Sequence, residues 1–301
     1  MSSATTTSPG APRIITEPDV DGDVLVSPRY LAGTHTPDEG FQPLLDLGWA
    51  LQGDELGNAF VAAPDNKVRL GFLPEGPDDG LWRVNAYDDP FGPPHWGVSF
   101  SDSCPVEFVS SFTTALARAY REGPDAYLAG GAGHDRELSD FRAVIPLLQA
   151  NWKLQQPRWG MLELQAPDGL AGLEYKTGRL DPAREVTTME ARWYMWGGPV
   201  GPRWYATASS NTPAHLVAAI TASICDPTPV PRWENGVSRY LRALVQMTPI
   251  EQPAPPKPTP LDVRRAAARR APALSTRSVP RWSTASPPAP AAAGARLPAR
   301  R

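Results

Sequence analysis

The sequence predicts an α+β fold of two homologous antiparallel β-meander-plus-helix domains in a pseudo-two-fold arrangement, with disordered termini. Three observations predict it: an internal repeat, short runs of alternating apolar residues within each copy, and one amphipathic helical pattern closing each copy. Tyr30-Leu31-Ala32-Gly33 recurs as Tyr127-Leu128-Ala129-Gly130, 97 positions on. Pro43-Leu44-Leu45, Trp49 and Leu51-Gln52 return at Pro146-Leu147-Leu148, Trp152 and Leu154-Gln155, 103 positions on, as does Ala63-Pro64-Asp65 at Ala166-Pro167-Asp168. Across Pro43–Phe72, 11 of 30 positions match. Self-similarity on this scale marks a duplicated folding unit.

The elements follow in chain order. Residues 1–23 are small, polar and Pro-containing with little to bury, so a disordered N-terminus is expected. In the first copy, Val68, Leu70 and Phe72 alternate with Lys67, Arg69 and Gly71. Trp82, Val84 and Ala86, then Trp96, Val98 and Phe100, alternate in the same way. Period two is the pattern of a strand with one buried face. The Pro64-Asp65-Asn66 corner supplies turn residues between two strands. A helix then opens near Pro105, with Glu107 to meet its N-terminal dipole. Val109, Phe112, Leu116 and Ala119 fall on one face, and Gly123-Pro124 ends it.

The second copy repeats this grammar. Ala171, Leu173 and Tyr175 stand for Val68, Leu70 and Phe72, while Trp204, Ala206 and Ala208 stand for Trp96, Val98 and Phe100 at an offset of 108. Thr212-Pro213 opens its helix, and Val217, Ile220 and Ile224 match Val109, Phe112 and Leu116. The expected boundaries are 24–123 and 124–231, then a short helical segment over 232–250 centred on Glu234–Met247. Residues 251–301 follow as a disordered tail rich in Pro, Ala and Arg.

Charge is unevenly placed. Residues 251–301 carry ten basic and two acidic side chains, a balance of +8, and residues 1–250 a balance of −11. Cys104 and Cys225 give neither a disulfide framework nor a zinc-ligand spacing. No stretch has the apolar length of a membrane span and no signal peptide is apparent, so a cytoplasmic protein without a membrane partner is expected. Phosphate-cradling glycine loops and nucleophile elbows are also absent, and no cofactor or metal is expected.

Candidate chemistry is sparse. Trp49, Trp152, Trp96 and Trp204 offer ring faces on which bases could stack, with Trp96 and Trp204 as candidate surface aromatics. Their alternating strand positions favour core packing instead. The Tyr-Leu-Ala-Gly segments read as strand ends that pack Tyr and Leu and turn at Gly. Asp65 and Asp168 read as caps of their own turns. Cys104 lies at a helix N-terminus, where its counterpart Thr212 points to an N-cap slot. His35, His95, His134 and His215 show no paired metal-ligand spacing, and Asp78-Asp79 and Asp88-Asp89 read as solvated turns. In the tail, Arg264, Arg265, Arg269 and Arg270 are candidate polyanion-binding residues.

The combined pattern resembles the SPDY-type domain of unknown function. Ser27-Pro28-Arg29-Tyr30-Leu31-Ala32-Gly33, Gly57-Asn58, Ala63-Pro64-Asp65-Asn66, the run Val68 to Glu75 and Asp89-Pro90-Phe91 before Trp96 carry the resemblance in the first copy. Tyr127 to Gly130, Trp152, Pro167-Asp168 and Trp204 to Thr212-Pro213 carry it in the second. It implies a tandem domain of actinobacterial, cytoplasmic origin and transfers no catalytic residue. Ala63 and Ala166 stand for the motif's serine, and Asn66 and Gly169 for its tyrosine.

Matched structural residues without matched polar chemistry favour a non-enzymatic module that binds an unknown protein partner. Nucleic-acid binding through the arginine tail is the alternative. An enzyme with an inter-repeat cleft built from Cys104, His95 and Asp88 ranks last.

Overall fold

The computed structural model describes residues 23–33, 37–74, 81–129, 134–187, 190–201 and 203–250, together with Thr259, Leu261, Arg264 and Arg265. Met1–Glu251 forms one compact unit and Gln252–Arg301 a second. The expected disordered N-terminus and most of the tail, including Arg269 and Arg270, lie outside the described residues.

The first copy runs from the 3₁₀ turn Arg29–Leu31 and helix α1 (Asp38–Leu45) through strands β2 (Ala50–Gly53), β3 (Ala59–Ala62), β4 (Val68–Leu73), β5 (Leu81–Ala86) and β6 (Trp96–Ser101) into helix α2 (Val106–Glu122). A short helix, α3 (Pro124–Leu128), opens the second copy. There α4 (His134–Gln149), β7 (Lys153–Leu154), β8 (Met161–Gln165), β9 (Ala171–Lys176), β10 (Trp193–Gly197), β11 (Trp204–Ala208) and α6 (Ala214–Cys225) repeat the order, with a short α5 (Pro182–Thr187) inserted before β10. Strand β1 (Asp23–Ser27) precedes the first copy, and β12 (Val230–Trp233) and β13 (Gln246–Pro249) follow the second.

Both meanders merge into one ten-stranded antiparallel sheet, ordered β2-β3-β4-β5-β6-β11-β10-β9-β8-β7. The seam is β6 against β11, with Val98 opposite Ala208, Ser99 opposite Thr207 and Phe100 opposite Ala206. At the repeat offset of 108, Ser99 thus pairs with its own counterpart, a register compatible with a pseudo-two-fold arrangement. The polar contacts repeat across the seam. Tyr205 N donates to Ser101 Oγ at 3.1 Å, and its counterpart Gly97 N donates to Ser209 Oγ at 3.0 Å.

Alternation decides which face of the sheet is buried. Val68, Leu70, Val84, Val98, Phe100, Leu173, Met195 and Ala206 face the helices and join one core with Phe108, Phe112, Leu116, Leu216, Val217 and Ile220. Every named residue in that set is under 2% exposed, so the strand and helix faces read from the sequence are the buried ones. Two helices per copy cover the sheet where one was expected. Pro43 lies inside α1 and Pro146 inside α4, and an interior proline removes a helical hydrogen bond and masks the pattern.

The Tyr-Leu-Ala-Gly segments are helical turns rather than strand ends: Arg29–Leu31 is a 3₁₀ turn and Tyr127 lies in α3. A Cβ on Gly33 would stand 2.6 Å from the Ser103 carbonyl oxygen, so glycine is there for close approach. These segments cross between copies. Trp96 Nε1 donates to the Tyr127 carbonyl at 2.8 Å, and Trp204 Nε1 donates to the Tyr30 carbonyl at 2.7 Å.

The helical segment expected over 232–250 is a correction. Only Glu234–Gly236 is helical, as a 3₁₀ turn, and β12 and β13 flank it. Both strands pair antiparallel with β1, which is the centre of a three-stranded sheet. Val24 and Val26 pack there on Val230 and Val237, so partnership with a distant strand overrides the weak local helical pattern.

The crossed tryptophans give a test. Replacing a buried indole by phenyl leaves a carbonyl without its donor, at a cost of about 1–3 kcal/mol. Trp96→Phe and Trp204→Phe are therefore each expected to lower stability by that amount in urea unfolding. Their losses should agree within about 1 kcal/mol if the two sites are equivalent.

Candidate interaction surface

The structure removes the residues first considered for chemistry and exposes one the sequence left unremarked. Trp96 and Trp204 are 0% and 3% exposed, so neither is a surface platform for a base. Trp49 and Trp152 are buried as well. Large apolar rings at inward strand positions belong to the core.

Cys104 is fully buried, and burial pushes its thiol well above the ordinary range, with Glu107 adding to the effect. It does not cap α2 either, because the N-cap is Pro105, as Pro213 is for α6. Burial also lifts Cys225, to about 12. His95 Nδ1 lies 2.7 Å from Asp88 Oδ2 in an exposed pair. The six residues of β6 separate that pair from Cys104, and a strand of this length runs roughly 17 Å. The suggested Cys104, His95 and Asp88 cleft therefore does not assemble.

Asp65 and Asp168 cap their own turns. Lys67 N donates to Asp65 Oδ1 at 3.0 Å, and Leu170 N donates to Asp168 Oδ1 at 2.9 Å. Asn66 and Gly169 take the matched positive φ of 57° and 73°. Asp168 also accepts from the Tyr30 hydroxyl at 2.6 Å; burial first, and this bond second, push that phenol above its ordinary range. Among the described residues no group of three or more His, Cys, Asp or Glu side chains could hold a metal ion. No helix among them is long and apolar enough to cross a membrane. In the tail, Arg264 and Arg265 are exposed on helical backbone. With the tryptophans buried, the nucleic-acid alternative retains only such arginines.

What the copies share on the outside is apolar. The β2–β3 and β7–β8 hairpins lie at the two outer edges of the sheet. Leu56 at the first tip is 65% exposed, and its counterpart Trp159 at the second is 105% exposed. In the first hairpin the turn is braced by Asp54, whose Oδ1 accepts from Leu56 N at 2.9 Å and Asn58 N at 3.0 Å. Asn58 Nδ2 donates to Asp54 Oδ2 at 2.7 Å, and these bonds hold the carboxyl below its ordinary range. The brace fixes the turn backbone that carries the exposed Leu56.

The second hairpin is tighter. Arg158 and Met161 exchange backbone bonds of 3.1 and 2.8 Å, leaving Trp159 and Gly160 as a two-residue loop. Both have positive φ, 47° and 73°. Such loops suit the twist of a hairpin but favour Asn-Gly, since a side chain with Cβ is strained there. A bulky residue with positive φ is a genuine outlier. Thr177 fixes the loop, its N and Oγ1 donating to the Gly160 carbonyl at 2.7 and 2.8 Å. A strained and fully exposed tryptophan contributes nothing to this fold, and strain of that kind concentrates at functional sites. The sequence signal was present as Leu56-Gly57 matched to Trp159-Gly160, an apolar residue before glycine at each hairpin tip.

Trp159→Asn should therefore stabilise the protein, by about 1 kcal/mol, because Asn takes a positive φ at less cost. Urea unfolding of the variant beside the parent measures this directly.

Residues 62–122 and 165–230 each match the SPDY family, described as a domain of unknown function (DUF317). No curated protein and no solved structure matches the chain. The matched segments run from β3 to the end of α2 and from the end of β8 to β12, so they cover corresponding parts of the two copies. The chain thus carries, in tandem, two segments that match this domain of unknown function.

Proposed function

We propose that this chain is a non-enzymatic interaction module that docks a two-fold symmetric protein through its outer hairpins. Trp159 at φ 47° and full exposure carries the reading, because the fold gains nothing from holding it there. Tryptophan is among the residues most enriched at interface hot spots, and its ring offers large contact area with little entropy to lose. Leu56 supplies the weaker equivalent at the matched position.

Ten strands at about 4.8 Å spacing put the two hairpins roughly 40 Å apart across the sheet, with their tips at opposite ends of the strands because β2 and β7 run antiparallel. Two related anchors at a fixed separation fit a partner presenting the same pocket twice. Simultaneous engagement raises overall affinity well beyond either contact alone. A membrane surface is the poorer fit for these tips, since residues 1–250 carry a balance of −11 and anionic lipid would repel them.

Crosslinking mass spectrometry on tagged full-length chain in its native cell extract tests the proposal. A protein captured by the parent should fall by a factor of about ten with Trp159→Asn and be lost with Leu56→Asn and Trp159→Asn combined. An identical capture profile for parent and double variant would contradict it.

A further inference from the structure

We propose that molecules of this chain join edge to edge, the β2 strand of one pairing antiparallel with the β7 strand of the next. These are the outer strands of the ten-stranded sheet, and every residue of both is exposed. Among the described residues no strand covers the outer side of either. An open edge presents a row of unpaired backbone donors and acceptors, a template that another strand completes.

The ladder fixes which groups point outward. Asp54 N donates to the Asn58 carbonyl at 3.1 Å, and Gln155 N donates to the Glu163 carbonyl at 2.8 Å. Bonding residues alternate along an antiparallel pair. The N–H and C=O of Leu51 and Gly53 therefore point away from β3, and those of Leu154 and Gln156 away from β8. Ten strands of alternating direction leave β2 and β7 running opposite ways. A neighbour in the same orientation thus brings its β7 antiparallel to β2.

Charge selects the partner. Residues 46–55 include Asp46, Asp54 and Glu55, all exposed, and no Lys or Arg. Their counterparts, residues 149–158, include Lys153 and Arg158, both exposed, and no Asp or Glu. Like edges repel and unlike edges attract, so β2 meets β7 in preference to its own kind. Leu51 and Leu154, identical in the two copies yet 52% and 58% exposed, mark the register. Set opposite each other, they exchange both backbone bonds and cover each other's side chains. This repeats the relation at the seam, where Ser99 faces its counterpart Thr207. Lys153 then lies diagonal to Asp54, and Arg158 is level with Leu47, beside Asp46. Both strands are short, so about four backbone bonds form each junction and association is reversible. Every junction leaves one free edge at either end, and further molecules add there. The edges carry this inference and the hairpin tips do not, so it stands apart from the docking proposed above.

Sedimentation velocity of the full-length chain at rising concentration tests it. The parent should form head-to-tail oligomers that weaken with salt, because exposed charges select the edge. Lys153→Glu with Arg158→Glu, and separately Asp46→Lys with Glu55→Lys, should each lower the association constant by about tenfold. Mixing these two variants should restore assembly, since one then offers an acidic β7 and the other a basic β2. Leu51→Pro removes an outward N–H without touching the β2–β3 ladder, and should abolish growth. A parent that stays monomeric up to its solubility limit would overturn the proposal. So would charge variants that assemble like the parent, a mixture no better than its components, or full assembly by Leu51→Pro.

Discussion

Each copy's central tryptophan finds its hydrogen-bond acceptor in a segment that the sequence repeat assigns to the other copy. Trp96 donates to Tyr127 and Trp204 to Tyr30, with both indoles buried in the common core. An unpaired buried indole N–H costs about 1–3 kcal/mol, so neither half satisfies its own interior. The sheet adds a second dependence. β6 and β11 are interior strands only because each covers the other's edge, and an uncovered edge of that length is an aggregation hazard. Two ion pairs join the copies and their flanks: Arg29 reaches Asp226 at 2.8 Å, and the largely buried Arg232 reaches Glu107 at 2.6 Å. Through β1, a segment preceding the first repeat motif becomes the central strand of a sheet completed by the last described strands.

Once duplication fixed that frame, the copies diverged where the frame permits it. Inward positions stayed mostly apolar while their sizes changed, as where Ala206 and Ala208 stand for Val98 and Phe100. Trp159 in place of Leu56 is a departure of another kind. It adds strain that is not compensated within the fold. Local violations of backbone preference are where function is to be sought in a molecule whose matched residues are otherwise scaffold.

The sheet and its two long covering helices were legible because a period of two and a period of 3.6 survive in Val68–Phe72, Trp96–Phe100 and Val109–Ala119. Helices α1 and α4 were not, since Pro43 and Pro146 contradict a helical reading that tertiary packing nonetheless imposes. The segment after Pro231 misled in the opposite sense: Val237, Leu241 and Leu244 fall at helical spacing, yet its ends pair with β1 through contacts some 200 residues away, which no local window registers. Burial of the tryptophans followed from their alternation. The exposure of Trp159 could not be read that way, because it depends on the loop conformation that Gly160 and Thr177 impose.

The central claim is that two sequence repeats form one cooperative body held at the seam. Native-state hydrogen exchange across β5, β6, β11 and β10 tests it most directly. The claim predicts that seam amides such as those of Val98, Phe100, Ala206 and Ala208 exchange only through global unfolding, with a single opening free energy and denaturant slope for both copies. Seam amides of one copy that open at a distinctly lower free energy while the other stays protected would contradict it.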